Sequence, residues 1–133
     1  MRVLALDYGS ARCGCAISDP TGTLATPIDV VERPATRRGL ARLVDLARER
    51  EVDLVVVGLP VTLRGTDSDQ TREARAFADA LAERVTVPVE LYDERFTTAI
   101  AAQSGGDTAA EDSRAAAVLL EDWLARHPQE TKS

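Results

Sequence analysis

Three acidic positions stand out by what surrounds them. Asp7 closes the apolar run Val3-Leu-Ala-Leu6 and is followed by Tyr8-Gly9. Asp93-Glu94-Arg95 follows the second half of another apolar, β-prone stretch, and Asp112 precedes a long helical pattern. Taken singly, each has a plain structural explanation: an Asp that shapes a turn, a solvated loop, a helix-terminal charge. Spacing changes the weighting. Counted forward from Asp112, Ala115, Ala116, Leu119, Leu120 and Trp123 fall on one side of a helix, so this carboxylate shares the apolar face that must pack on a sheet. An uncompensated carboxylate there is costly, and a cation compensates it. Carboxylates converging from two strand ends and a helix make a hard, all-oxygen site suited to Mg2+ or Mn2+. Such a site suits phosphodiester hydrolysis, with one ion activating water and a second stabilising the leaving oxygen.

Other chemistries find little support. His127 lies near the C-terminus, so no Ser–His or Cys–His pair suggests itself. The chain has neither a G-x-x-x-x-G-K-[ST] loop nor a G-x-G-x-x-G turn. Cys13 and Cys15 share one face of a strand-like segment with no second pair, which reads as core packing rather than zinc. At 133 residues, 44% hydrophobic and 29% charged, the chain reads as one soluble domain. We expect that domain over residues 1–127, with a polar tail over 128–133. No apolar run reaches the roughly 18 residues of a membrane span, and a cytoplasmic protein is expected. A formal net charge of −6 argues against a generic polyanion binder but suits a site that gathers cations.

The elements that must position the acids are legible in order. Strands are expected over Arg2–Leu6, Cys13–Ser18 and Leu24–Glu32, with Pro27 confining the third to an edge or a bulge. An amphipathic helix over Thr36–Glu51 presents Leu40, Leu43, Val44 and Ala47, with Arg37, Arg38 and Arg42 read as its solvated face. A buried strand, Leu54–Val61, a loop over Thr62–Ser68 and a second helix, Asp69–Val85, come next. A strand over Pro88–Tyr92, a short helix over Ala99–Ser104 and a final helix from about Ser113 to Arg126 complete the chain. An antiparallel meander followed by right-handed parallel crossovers gives an α/β fold with a mixed five-stranded sheet of order 3-2-1-4-5, strand two antiparallel.

Four segments resemble the YqgF (RuvX) family of pre-16S rRNA nucleases. They are Leu6-Asp7-Tyr8-Gly9 with Arg12, Gly14 and Ala16; Val57-Gly58-Leu59-Pro60 followed by Gly65; Asp93-Glu94-Arg95-Phe96-Thr97-Thr98; and Asp112 followed by Ala115-Ala116 and Leu119-Leu120. The resemblance implies a Holliday-junction-resolvase-like, RNase H-type fold with helices on both faces. It also implies Asp7, Glu94 and Asp112 as catalytic, metal-holding carboxylates, a divalent cofactor, and a role in processing the 5′ end of 16S rRNA precursor in ribosome biogenesis. The choice of Glu94 over its neighbour Asp93 follows that motif. Strand parity groups Asp93 with Val89 and Leu91, and Glu94 with Glu90 and Tyr92.

One departure from the family concerns the segment before the final-helix acid. It is often basic there, whereas Ser104–Glu111 is neutral to acidic. Arg12, Arg64 and Arg95, beside the motif segments, are therefore the candidates for contacting nucleic acid. Structured RNA is the expected substrate, on a monomer or homodimer without membrane association. The alternatives are a Holliday-junction resolvase using the same site on branched DNA, and a non-catalytic ribosome-assembly or nucleic-acid-binding module. An actin-type ATPase lobe would need a second lobe, and a receiver domain lacks its lysine, since Lys132 is the only one.

Overall fold

The computed structural model describes residues 2–9, 11–19, 24–59, 69–93 and 109–126, with side chains for all of these but 59, 69, 70, 93 and 109–112. Five strands, β1 (Val3–Asp7), β2 (Arg12–Ser18), β3 (Ala25–Glu32), β4 (Leu54–Leu59) and β5 (Val89–Asp93), form one sheet of order β3-β2-β1-β4-β5. β1 and β2 pair antiparallel with Asp7 opposite Gly14, and β2 and β3 pair antiparallel with Arg12 opposite Glu32. β4 pairs parallel with both β1 and β5. The meander-plus-crossover order expected from the sequence is therefore the observed one. Pro27 sits on the outermost strand at a register break, where Cys15 pairs with Asp29 and Ala16 with Pro27. A residue without an N–H is tolerated at such a place.

Period-two alternation decides which helix each strand residue meets. Leu4, Leu6 and Tyr8 face α1 (Arg37–Glu49) and α2 (Asp69–Ala82), in a core completed by Val55, Val57, Leu40, Leu43, Leu46, Phe77 and Leu81. Val3 and Ala5 face the final helix, α3 (Ala109–Arg126), with Leu54, Val56, Tyr92, Ala116, Leu119, Leu120 and Trp123. Cys13 and Cys15 are free thiols buried in the first of these cores, as small apolar side chains. Ser18 is buried as well, and its hydroxyl accepts the Val3 N–H at 2.7 Å. Among the described residues no helix is long and apolar enough to cross a membrane.

Local chemistry sets the helix ends. Thr36 caps α1, accepting the Gly39 N–H on Oγ1 at 3.1 Å. α1 ends at Glu49 and α2 at Ala82, slightly short of the expected Glu51 and Val85. Glu51, at φ 54°, has left the helical region, and its N–H closes on Arg48 O. α3 begins four residues before the expected Ser113. Ala109 and Ala110 are strong helix formers, and Glu111 and Asp112 favour the positive end of the helix dipole. Asp112 thus lies inside the first turn, and residues 109–111, expected as loop, are helical. The expected loop over Thr62–Ser68, the short helix over Ala99–Ser104 and the tail lie outside the described residues.

Candidate active site

β1 delivers Asp7 to the end of the sheet where parallel strands leave the core, the edge at which open α/β sheets place their chemistry. Asp7 is half-buried and continues the alternation Val3, Ala5, Asp7, which is the α3-facing side of the strand. It does so between two glycines. Gly14 lies opposite it on β2, and the β1–β4 register, which pairs Leu6 with Val57, brings Gly58 beside it. Neither neighbour puts a side chain next to the carboxylate. The turn that follows is tight, since a Cβ on Gly9 would come within 2.8 Å of the Arg12 carbonyl oxygen.

Tyr8 pins the same strand end from the opposite face. Its hydroxyl donates a short hydrogen bond to Glu73 of α2, and its ring stacks on Phe77 with centroids 4.6 Å apart. Burial, and then the bond to Glu73, hold the Tyr8 phenol well above the usual tyrosine range. These contacts immobilise the residue next to Asp7. The sequence reading missed this role, because Tyr8 and Glu73 are 65 positions apart and only the fold brings them together.

The other site residues stand as follows. On β5, Glu90 accepts the Trp123 indole N–H at 3.4 Å, and Tyr92 donates to Asp122, so the even-numbered residues of this strand face α3, as Asp7 does. Glu94 itself lies outside the described residues. In α3, Asp112 falls one turn ahead of Ala116, in register with Leu119, Leu120 and Trp123, which are buried against the sheet. Arg12 begins β2, half-buried and two residues from Gly14, whereas Arg64 and Arg95 lie outside the described residues. A groove of about 240 Å³ lined by Val44, Arg48, Val52, Arg84, Val85 and Val87 lies at the opposite end of the sheet, where β4 and β5 begin. It has no part in the Asp7 site.

The Tyr92–Asp122 contact fastens β5 to α3, and it titrates. Burial, and then the hydrogen bond and charge of Asp122, push the Tyr92 phenol up to about 12. An unfolded chain releases a tyrosine proton near pH ~10. The folded state binds this proton more tightly, so the contribution is complete below about pH 10 and is lost as pH rises toward about 12. In urea titrations, the parent should lose stability between about pH 9 and about pH 11 more steeply than Tyr92→Phe. Parallel losses would show that the pair does not carry the effect.

Comparison with known proteins agrees with this architecture. The model of a family described as "RuvX: Holliday junction resolvase" matches residues 1–126. A protein of Maridesulfovibrio salexigens named "Putative pre-16S rRNA nuclease" is 39% identical, over 95% of this chain and 99% of its own length. A protein of the same name from Anaeromyxobacter sp. is 43% identical, over 93% of this chain and 96% of its own. Among solved structures, T. thermophilus RuvC in complex with Holliday junction substrate superposes with a TM-score of 0.60 at 19% identity, covering 96% of both chains. The fowlpox virus Holliday junction resolvase gives 0.55 at 16% identity, over 96% of this chain and 99% of its own. These two likenesses are of fold. From the match over residues 1–126 and relatives this similar along nearly their whole length, the chain belongs to the RuvX family.

Proposed function

We propose that this protein is a divalent-metal-dependent nuclease that hydrolyses phosphodiester bonds in structured RNA, with the 5′ end of 16S rRNA precursor as its substrate. The observation that carries the reading is Asp7. It is a half-buried carboxylate at a strand end, on the α3-facing side, with a glycine at the neighbouring position of each adjacent strand. Asp112, in register with the buried side of α3, and Glu94, which follows β5 in the sequence and is the acid of the family motif, are its partners in the proposal. An all-carboxylate set fits a hard cation and offers nothing to a soft one. Bound there, Mg2+ or Mn2+ would supply Lewis acidity and an activated water. The chain's own residues hold the carboxylates in place: Tyr8 through Glu73 and Phe77, Tyr92 through Asp122, and α3 through its packed apolar face.

The family description points to branched DNA, whereas the names of the full-length relatives point to pre-16S rRNA. We favour RNA, because those relatives match at 39% and 43% identity and the resolvase structures at only 16% and 19%. The test is direct. Purified protein is incubated with a 5′-extended 16S precursor and, separately, with a four-way DNA junction, with Mg2+ or Mn2+ or with chelator. The expected result is cleavage of the precursor that chelation abolishes and re-added metal restores. Cleavage confined to the junction favours the resolvase reading. Metal-supported cleavage of neither substrate favours a non-catalytic module in ribosome assembly.

A further inference from the structure

We propose that Arg33, Arg37 and Arg38 form a phosphate-binding rim at the Asp7 end of the sheet, along which the nucleic-acid backbone runs as it approaches the site. The inference rests on the nuclease reading for what arrives there. The rim itself rests on placement and charge.

The topology puts the trio at that end. Asp7 lies opposite Gly14, Gly14 opposite Val30, and Arg12 opposite Glu32, so β3 finishes at the end of the sheet where Asp7 sits. Arg33 follows β3 directly, and Arg37 and Arg38 open α1. Strand spacings of about 4.8 Å and a rise of about 3.4 Å per residue put the Arg33 backbone roughly 15 Å from that of Asp7. That is about four base-pair rises along the axis of a duplex.

The chain holds the three together. Arg33 adopts φ 49°, its N–H donates to Ala11 O at 2.9 Å, and its carbonyl accepts from Thr36 N at 3.1 Å and Thr36 Oγ1 at 2.7 Å. Gly39 lets this bend lie against the first turn of α1, since a Cβ there would come within 2.3 Å of Arg33 O.

Pairing separates these arginines from Arg42, Arg48 and Arg126, and their position at the Asp7 end separates them from Arg50 and Arg84 at the other end of the sheet. Arg42 bonds Asp29 at 2.9 Å and approaches Glu49 at 3.7 Å, Arg48 approaches Asp45 at 3.9 Å, and Arg126 bonds Asp122 at 3.1 Å. Arg33, Arg37 and Arg38 are exposed, and none forms an ion pair with a described residue. The first turn of α1 contains no acid to offset them. In a chain of net charge −6, three neighbouring arginines without acidic partners, at the Asp7 end of the sheet and on its α1 face, are complementary to a phosphodiester backbone. Arg37 and Arg38, read from sequence as a solvated helix face, are thereby given a partner.

The test measures binding apart from turnover. Affinity for a structured 16S precursor and for duplex DNA is measured in metal-free buffer between about 50 and about 200 mM salt. The proteins are the parent, the triple variant Arg33→Gln/Arg37→Gln/Arg38→Gln, the triple Lys variant at the same positions, and Arg42→Gln/Arg48→Gln. Three phosphate contacts correspond to about 2.7 units of slope in log K against log salt on a duplex, so over that range the parent's affinity should fall about 40-fold more than that of the triple Gln variant. The triple Lys variant should keep the parent's slope, as should the Arg42/Arg48 variant. A lowered slope on RNA alone, or on both polymers, supports the rim and tells which backbone it accepts. A triple Gln variant that melts like the parent and keeps its slope overturns the proposal, whether or not the protein cleaves. Loss of slope in a protein that cleaves nothing would instead leave the rim standing and remove the nuclease reading.

Discussion

Asp7→Asn should lower turnover of the RNA substrate by about 1,000-fold while leaving the fold and the thermal transition nearly unchanged. The substitution is isosteric and keeps one oxygen in place, but it removes the formal charge that a hard cation requires. A loss of about 4 kcal/mol of transition-state stabilisation corresponds to that factor. Stability should stay within about 1 kcal/mol, because the side chain is only half-buried and the replacement has the same shape. Single-turnover rates at saturating Mn2+, alongside a melting curve, make the measurement. Equal rates for Asp7→Asn and parent would mean that the hydrolysis comes from elsewhere, from another site or from a contaminating nuclease. The same assay separates the two β5 acids. On the family motif, which selects Glu94, Glu94→Gln should behave like Asp7→Asn and Asp93→Asn should retain most activity.

The parts of this molecule that the sequence made legible are those governed by short-range periodicity and by rules of chain connection. Val3–Leu6 and Leu54–Val57 read as doubly buried strands because they are apolar on both parities, and they are the two central, parallel neighbours. The handedness of crossovers then leaves little choice of strand order. The apolar face of α3, Ala116, Leu119, Leu120 and Trp123, was legible for the same reason, and with it the register of Asp112. What stayed hidden depends on groups that only the fold brings together. No local spacing connects Tyr8 to Glu73 or Tyr92 to Asp122. The left-handed bend at Arg33 was equally illegible, since that conformation is uncommon for a residue with a side chain. Its one sequence trace is Arg-Pro between a strand and a Thr cap, which many loops share. Arg37 and Arg38 therefore looked like solvated helix charges until the fold brought them to the Asp7 end of the sheet.

The second large effect should come from a methyl group. Gly39→Ala should destabilise the protein by about 2–4 kcal/mol, although the same change inside a helix ordinarily gains up to about 1 kcal/mol through helix propensity. Gly39 is the third residue of α1, where a side chain would suit the helix itself. The obstacle is the bend before it. An added Cβ would sit 2.3 Å from Arg33 O and 2.6 Å from Pro34 Cα, both backbone atoms that cannot rotate away. Arg33 O is held by its two bonds from Thr36, and Pro34 is buried, so relief requires moving the bend as a unit. Overpacking of this kind costs about 1–3 kcal/mol, and each strained or broken bond adds about 1 kcal/mol, which together outweigh the propensity gain. For a domain of this size, the shift in Tm should be a fall of roughly 10 °C. An unchanged or higher Tm would show that the bend yields easily and that helix propensity decides at this position. If the bend moves, Arg33 leaves the first turn of α1, and Gly39→Ala should also reduce the salt dependence of nucleic-acid binding without touching any charge. A purely structural glycine, unconnected to the rim, would lower the Tm and leave that dependence as it was.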